Sequence, residues 1–148
     1  MRKLVASVGY LGLVPRRVWH SDSGAGTVGA AAAWVVSLAL WPTPAWTGGL
    51  AFVVALALSL WSSAPFADGD PGWVCIDEVA GTLFAVIGLT GAPWLVAVAV
   101  ARAADIFKVL PGVRRAELLP GSLGITMDDV VAGGYGLAAG WLAVLLFG

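Results

Sequence analysis

Five acidic residues of the chain lie in three groups, each beside an apolar run. They are Asp77, Glu78, Asp105, Asp128 and Asp129. An ionised carboxylate at the edge of hydrocarbon is costly unless a cation or a hydrogen-bond donor meets it. Three such groups in one short chain therefore predict that the carboxylates converge on one shared cation.

The residue types limit the chemistry that such a site can perform. The chain has one His and one Cys, which disfavours both a zinc site of the usual His and Cys ligands and acyl transfer by a protein nucleophile. Clustered carboxylates with Lys and Arg nearby suit Mg²⁺, which binds a few carboxylates, keeps several waters and takes phosphate oxygens as further ligands. We therefore predict phosphoryl chemistry with Mg²⁺ as the cofactor.

Cations that could contact a phosphate stand on either side of one of these acids. Arg102, Asp105 and Lys108 recur at i, i+3 and i+6, so they share one face of a helix. The same row could instead be a surface row of salt bridges at a membrane boundary, where isolated ion pairs contribute little stability. Only its neighbourhood with the other acids favours a role in the site.

Small residues on two apolar runs indicate how the acid groups could meet. The stripe on the last run comprises Gly133, Gly136 and Gly140. Gly81 and Ala85 form a counterpart four residues apart, and such patterns allow close helix packing. We expect close packing of these helices to bring the last acid pair near Asp77 and Glu78.

Simpler interpretations stand beside the metal site. Both acid pairs could be helix N-terminal residues that complement the helix dipole, a contribution of about 0.3–1 kcal/mol each. The small-residue turn Gly24–Gly29 matches neither a Walker loop nor a dinucleotide fingerprint, so by itself it is typical of a plain loop. His20, Cys75 and the tryptophans are expected to be interfacial or packing residues.

Composition places the chain in a membrane. Of its 148 residues, 59% are hydrophobic and 11% are charged, against about 25% charged in an average soluble domain. The net charge of −1 gives no basic surface for nucleic acid. The length predicts a single domain over residues 1–148, and a lone cysteine excludes an intrachain disulfide. At a membrane face, the natural phosphate substrate is a phospholipid headgroup.

The apolar runs predict an all-α fold, an integral membrane bundle of about five transmembrane helices. The runs cover residues 28–41, 48–61, 79–90, 94–106 and 130–147. Residues 1–23 are expected to form an amphipathic or re-entrant segment broken at Pro15. Gly91–Pro93 should separate the third and fourth helices, and a Ser or Asp of the turn at residues 21–29 should cap the first.

Charge placement predicts the topology. Charged residues are confined to residues 2–22, 68–78, 102–117 and 128–129. Five crossings would put these segments on one membrane face, and the excess of Lys and Arg in two of them marks that face as cytoplasmic. We therefore expect a multi-pass protein of the cytoplasmic (inner) membrane whose site faces the cytoplasm.

Three motifs with this order and spacing resemble those of the phosphatidylglycerophosphatase A family. They are Asp70-Pro-x-x-Val-x-x-Asp77-Glu78-Val-x-Gly81, Arg102-x-x-Asp105-Ile-x-Lys108-x-x-Pro111 and Gly121-x-x-Gly124-Ile-x-Met127-Asp128-Asp129-x-x-Ala132-Gly133. Gly26-Thr27-x-Gly29 resembles an N-terminal element of the same family, so the resemblance covers about residues 24 to 133.

The resemblance implies a Mg²⁺-dependent phosphatase that converts phosphatidylglycerophosphate to phosphatidylglycerol and inorganic phosphate. It assigns Mg²⁺ binding to four acids, which are Asp77, Glu78, Asp128 and Asp129. Asp105 would orient a metal ligand or the attacking water. Gly26, Thr27, Arg102 and Lys108 would contact the substrate phosphate. Attack by water and attack by an aspartate carboxylate both stay open.

Two other functions are alternatives to this one. A CDP-alcohol phosphotransferase uses similar chemistry, but its Asp-Gly-x-x-Ala-Arg segment with a later Asp-x-x-x-Asp is absent from this sequence. An ion or solute transporter would need a polar group near the middle of the membrane. All five candidate acids are predicted at one face and none in mid-helix, which argues against a pathway.

Overall fold

The computed structural model describes residues 1–69 and 71–147, and within these ranges it contains helices and no strand. This confirms the all-α prediction. The helices are α1 (Arg2–Ala6), α2 (Val14–Trp19), α3 (Ala25–Leu40), α4 (Ala45–Ser63), α5 (Ile76–Ala85), α6 (Gly91–Phe107), α7 (Val113–Glu117) and α8 (Ser122–Phe147). Short 3₁₀ turns cover Leu11–Leu13 and Ala64–Phe66. Asp70, part of the first motif, lies outside the described residues.

The five predicted apolar runs correspond to α3, α4, α5, α6 and α8, with corrections at their starts. The N-cap of α3 is Gly24 in a left-handed conformation. The prediction that a Ser or Asp side chain caps this helix is therefore wrong. Pro93 lies in the first turn of α6 and does not break it, because a first-turn proline lacks only an N–H that has no helical partner. Pro15 is likewise accommodated at the start of α2.

Among the described residues, two helical segments are long and apolar enough to span a membrane, fewer than the five predicted. They are Ala45–Phe66, with 22 residues, and Ser122–Phe147, with 26 residues. The other apolar helices are shorter, and α5 has only 10 residues. At about 1.5 Å per residue α5 is roughly 15 Å long, half of the hydrocarbon thickness of about 30 Å. Only α5 is shorter than its predicted run, residues 79–90; the other four helices are longer than theirs.

Helix α5 lies at the centre of the bundle, in contact with α3, α4 and α8. Eight of its ten residues are buried, including the apolar Val79 and Leu83. These side chains pack with Trp73 and Val74 from the segment before the helix. A short helix enclosed in this way can hold charged groups at its first turn while its apolar remainder anchors it.

Helices α5 and α8 cross with their backbones in contact, as the stripe of small residues predicted. A methyl group at Gly81 would lie 2.5 Å from the Asp129 carbonyl oxygen, and one at Gly133 would overlap the Gly81 carbonyl. Gly136 and Gly140 face mainly α6, where a methyl group at Gly136 would lie 2.5 Å from the Ala97 carbonyl oxygen. The stripe therefore allows α8 to pack closely against both α5 and α6.

Buried polar contacts fix the register of the outer helices. The Ser59 and Thr126 hydroxyls are hydrogen-bonded at 2.8 Å between α4 and α8, and both residues are fully buried. The Trp94 Nε1–H donates to Ser37 Oγ at 3.1 Å, which joins α6 to α3. Because an unpaired buried polar group is costly, these pairs disfavour sliding of one helix along another.

The N-terminal segment packs against the helices that carry the site. The Cys75 N–H donates to the Ala6 carbonyl at 2.9 Å, just before α5 begins. The Arg2 guanidinium lies 5.2 Å from the centre of the Trp61 ring. Leu4 and Val18 are exposed on this segment, which also carries Arg2 and other basic residues. Its surface therefore carries both apolar and basic groups.

Candidate active site

Three helices bring the predicted acids to one end of the bundle. Asp77 and Glu78 lie in the first turn of α5, Asp105 lies near the end of α6, and the last pair lies in the second turn of α8. They surround a cavity of about 260 Å³. Its lining comprises Ala67, Asp77, Glu78, Asp105, Lys108, Glu117, Leu119, Gly121, Gly124, Ile125, Asp128 and Asp129.

The acids form two overlapping groups. One is Asp77, Glu78 and Asp129, and the other is Asp105, Asp128 and Asp129. Within each group one oxygen atom from every residue lies within 4.8 Å of the others. The four predicted metal ligands are thus divided between the groups, Asp105 joins the second, and Asp129 belongs to both. Asp128 and Asp129 lie inside α8, since that helix begins at Ser122 and not at Val130 as predicted.

Two carboxylate oxygens in this cluster are buried without a hydrogen-bond partner, Glu78 Oε2 and Asp128 Oδ1. Asp77, Asp128 and Asp129 are themselves only 8%, 6% and 8% exposed. Buried carboxylates require a hydrogen-bond donor or a cation, and the unpaired oxygens are where a cation would bind. The donor set consists of carboxylate oxygens, which suits a hard divalent ion. The residues therefore fit a metal site.

Lys108 is placed in the cavity by an unusual backbone conformation. It ends α6 with φ 48° and ψ 32°, in the left-handed region that non-glycine residues seldom adopt. Its ammonium donates to Asp128 Oδ2 at 2.8 Å and to Glu117 Oε1 at 2.7 Å. Partial burial lowers the pKa of Lys108. The hydrogen bonds to the two carboxylates raise it by more than burial lowers it, so the pKa lies above its usual range. The side chain therefore stays charged at neutral pH.

Arg102 is turned toward Asp105 and does not line the cavity. Its Nη1 atom lies 2.8 Å from Asp105 Oδ2, one helical turn away. The predicted row of three charges therefore divides. Asp105 and Lys108 both line the cavity, whereas Arg102 lies outside the lining and forms an ion pair with Asp105. In this structure Arg102 contacts the cavity lining through that carboxylate.

The N-terminal motif contributes one of its two predicted residues to the cluster. Gly26 in the first turn of α3 lies against the Glu78 carboxylate, and a Cβ at this position would overlap it. Thr27 is exposed and does not line the cavity. The absence of a side chain at Gly26 is thus what lets α3 approach the acids.

The sequence matches a known protein family over most of its length. The family model described as phosphatidylglycerophosphatase A matches residues 4–144. The chain belongs to the phosphatidylglycerophosphatase A family. A curated protein of Bacteroides thetaiotaomicron, provisionally named a phosphatidylinositol-3-phosphatase, is 33% identical over 123 residues, which cover 74% of this chain and 77% of the relative. No solved structure matches the chain.

Membership of the phosphatidylglycerophosphatase A family places the acid cavity in a lipid phosphatase. The cluster can hold a metal ion, and Lys108 offers an N–H that neither carboxylate partner uses. Cys75 takes no part in either acid group. Burial, together with the nearby Asp77 carboxylate, raises the pKa of its thiol to about 12, so it is the packing residue that the sequence predicted.

Glu117 is a residue of this cavity that the sequence did not predict. It ends α7, lines the cavity and forms an ion pair with Lys108. One signal for it existed: Glu117 is the only acid between Lys108 and Asp128. The sequence pattern assigns Glu117 only to the charged segment at residues 102–117.

Proposed function

We propose that this chain is a Mg²⁺-dependent phosphatase that removes the terminal phosphate of phosphatidylglycerophosphate, giving phosphatidylglycerol and inorganic phosphate. The observation that carries the proposal is the convergence of acids from α5, α6 and α8 on one cavity, with unpaired buried oxygens on Glu78 and Asp128. Lys108 supplies a fixed positive charge on the same wall. Membership of the phosphatidylglycerophosphatase A family supports the substrate.

The proposed roles follow from the position of each side chain. Asp77, Glu78, Asp128 and Asp129 would hold Mg²⁺. When bound, the ion supplies positive charge to the phosphoryl oxygens and lowers the pKa of a coordinated water. The ammonium of Lys108 donates to a phosphoryl oxygen and offsets charge that develops during transfer. Arg102 fixes Asp105, whose carboxylate orients the attacking water.

A phospholipid substrate requires the cavity to lie at a membrane surface. The long helices α4 and α8 expose apolar side chains that include Leu50, Val53, Leu142 and Leu145. Three of the four charged segments, residues 68–78, 102–117 and 128–129, contribute side chains to the cavity. We propose that the bundle is a multi-pass protein of the cytoplasmic membrane with the cavity end toward the cytoplasm, where excess Lys and Arg are retained. The lipid headgroup then enters from the leaflet beside it.

Orientation can be tested with single cysteines at the two ends of the bundle. Thr43 and Thr90 are exposed and line one cavity together at the end opposite the acids, whereas Gly69 is exposed near the acids. We expect Thr43→Cys and Thr90→Cys to react with a membrane-impermeant maleimide on intact cells, and Gly69→Cys to react only after lysis. The unmodified protein is the control, because Cys75 is fully buried. External labelling of Gly69→Cys would contradict the orientation.

The function is tested by phosphate release from phosphatidylglycerophosphate in mixed micelles, using purified protein. We expect turnover that requires Mg²⁺, is abolished by a chelator and returns when Mg²⁺ is restored. The absence of release at any Mg²⁺ concentration would refute the proposal. Turnover unaffected by chelation would refute the metal-dependent part alone.

Phosphatidylinositol 3-phosphate is a second candidate substrate, because the Bacteroides relative carries that activity in its name. The same assay with this lipid separates the two candidates. We expect the ratio of kcat/KM to favour phosphatidylglycerophosphate. The reverse preference would keep the proposed lipid phosphatase and change its substrate.

A further inference from the structure

Lys108 has two carboxylate partners in very different surroundings. The Asp128 side chain is 9% exposed, and the Glu117 side chain is 45% exposed. Asp128 belongs to one of the two acid groups, whereas Glu117 belongs to neither. Glu117 therefore lies at the rim of the cavity, where its carboxylate is paired with Lys108.

The backbone holds Glu117 in this place. Its helix α7 is anchored by Val113 and Ala116, both buried. The turn that follows packs against the start of α8, where a methyl group at Gly124 would lie 2.8 Å from the Glu117 carbonyl oxygen. The carboxylate thus faces Lys108 because the main chain fixes α7, and not only because a flexible surface side chain happens to reach it.

The two partners differ in how easily each could release Lys108. Removing the ammonium from Asp128 would leave a buried carboxylate without its cation, which is costly. Removing it from Glu117 leaves a carboxylate that water can solvate, and exposed ion pairs contribute little. An incoming phosphate, itself an anion with oxygen acceptors, can therefore replace Glu117 at Lys108 more easily than it can replace Asp128.

We propose that Glu117 is a displaceable anion that occupies Lys108 until the substrate phosphate takes its place. It returns to Lys108 as inorganic phosphate leaves. Glu117 thereby weakens phosphate binding and speeds product release, so it is a positioning residue that acts through Lys108. This inference rests on the proposed phosphatase function.

The test is the affinity for inorganic phosphate of detergent-solubilised, Mg²⁺-loaded protein, measured by calorimetry and by product inhibition. Glu117→Gln keeps the size of the side chain and one acceptor oxygen but removes the charge. We expect the Kd and the Ki for phosphate to fall roughly threefold to tenfold, because one competing charge-assisted hydrogen bond is weakened. KM should fall with them, while kcat stays level or decreases.

Asp68→Asn is the matched control. Asp68 is an exposed acid next to Ala67, which lines the same cavity, and it has no ion pair with Lys108. Its replacement removes the same charge near the same rim, and we expect the Kd for phosphate to change less than about twofold because exposed charges are screened. The double variant Lys108→Gln/Glu117→Gln should bind phosphate no more tightly than Lys108→Gln alone. Glu117→Asp, with a shorter reach, should show a smaller gain in the same direction.

The outcomes separate this inference from the proposed function. If the wild type hydrolyses the lipid and binds phosphate, but Glu117→Gln binds phosphate equally or more weakly, Glu117 is not a competitor and only this inference fails. An equal gain in Asp68→Asn would also overturn it, since the effect would then be general electrostatics. If the wild type neither releases nor binds phosphate, the proposed function fails and this inference fails with it.

Discussion

Replacing Asp129 by Asn is expected to lower turnover by roughly a hundredfold to a thousandfold, the largest effect of any single acid. Asp129 belongs to both groups of carboxylates, so its loss weakens both at once. The amide keeps the shape of the side chain, and the fold should therefore survive. Initial rates measured across a range of Mg²⁺ concentrations should show a raised Mg²⁺ requirement as well as a lower maximum.

The double variant Asp77→Asn/Asp129→Asn provides the sharper form of this prediction. If the two acids serve one ion, the double variant should be little worse than the worse single variant, because residues that act as a unit are strongly non-additive. Acids that merely complement helix dipoles would instead give small stability losses that add, with turnover kept. Asp68→Asn should retain most of the activity. Mild, additive losses of activity would exclude a shared metal.

Adjacent glycines of α8 provide the second prediction. Gly133→Ala places a methyl group against the Gly81 main chain, where no side chain can move aside. We expect it to lower stability by about 1–3 kcal/mol, the usual cost of overpacking, and to abolish most turnover by forcing α5 and α8 apart. Thermal unfolding in detergent, followed by circular dichroism, and phosphate release measure the two effects.

Gly134→Ala is the control for this effect. A methyl group there would lie 3.5 Å from Phe84 Cε1, an ordinary contact. Since alanine favours a helix over glycine by up to about 1 kcal/mol, this variant should be as stable as the wild type or more so, and active. Gly81→Ala should behave like Gly133→Ala. Equal stability of the Gly133 and Gly134 variants would show that the crossing is looser than the structure has it.

The convergence of the acids could be predicted from the sequence because it rests on local rules. Helical spacing relates Asp129 to Gly133 and Asp77 to Gly81, one turn apart in each helix. Small residues at both Gly81 and Gly133 then indicate that these turns meet. Composition identified the apolar helices but not their lengths, because burial inside the bundle and exposure to lipid select the same side chains. That is why the enclosed α5 was counted as a span.

Other parts of the site depend on backbone turns that side-chain patterns do not encode. Nothing in its residue type marks Lys108 for a left-handed conformation, yet that conformation turns its ammonium toward Asp128. Glu117 reaches Lys108 only because α7 folds back onto α8. Gly26 and Thr27 are adjacent in one motif, and only the orientation of α3 decides which of them meets Glu78. These features follow from tertiary packing.

The backbone contact between Gly81 and Gly133 lies one helical turn from the acids on each side. Contact between peptide groups therefore sets the distance between the two carboxylate-bearing turns, and peptide groups have the same dimensions in every protein. The outward side chains of α4 and α8 do not affect that distance. They can vary among Leu, Val, Ala and Trp as a lineage changes its lipids or its growth temperature, and the spacing of the carboxylates stays the same.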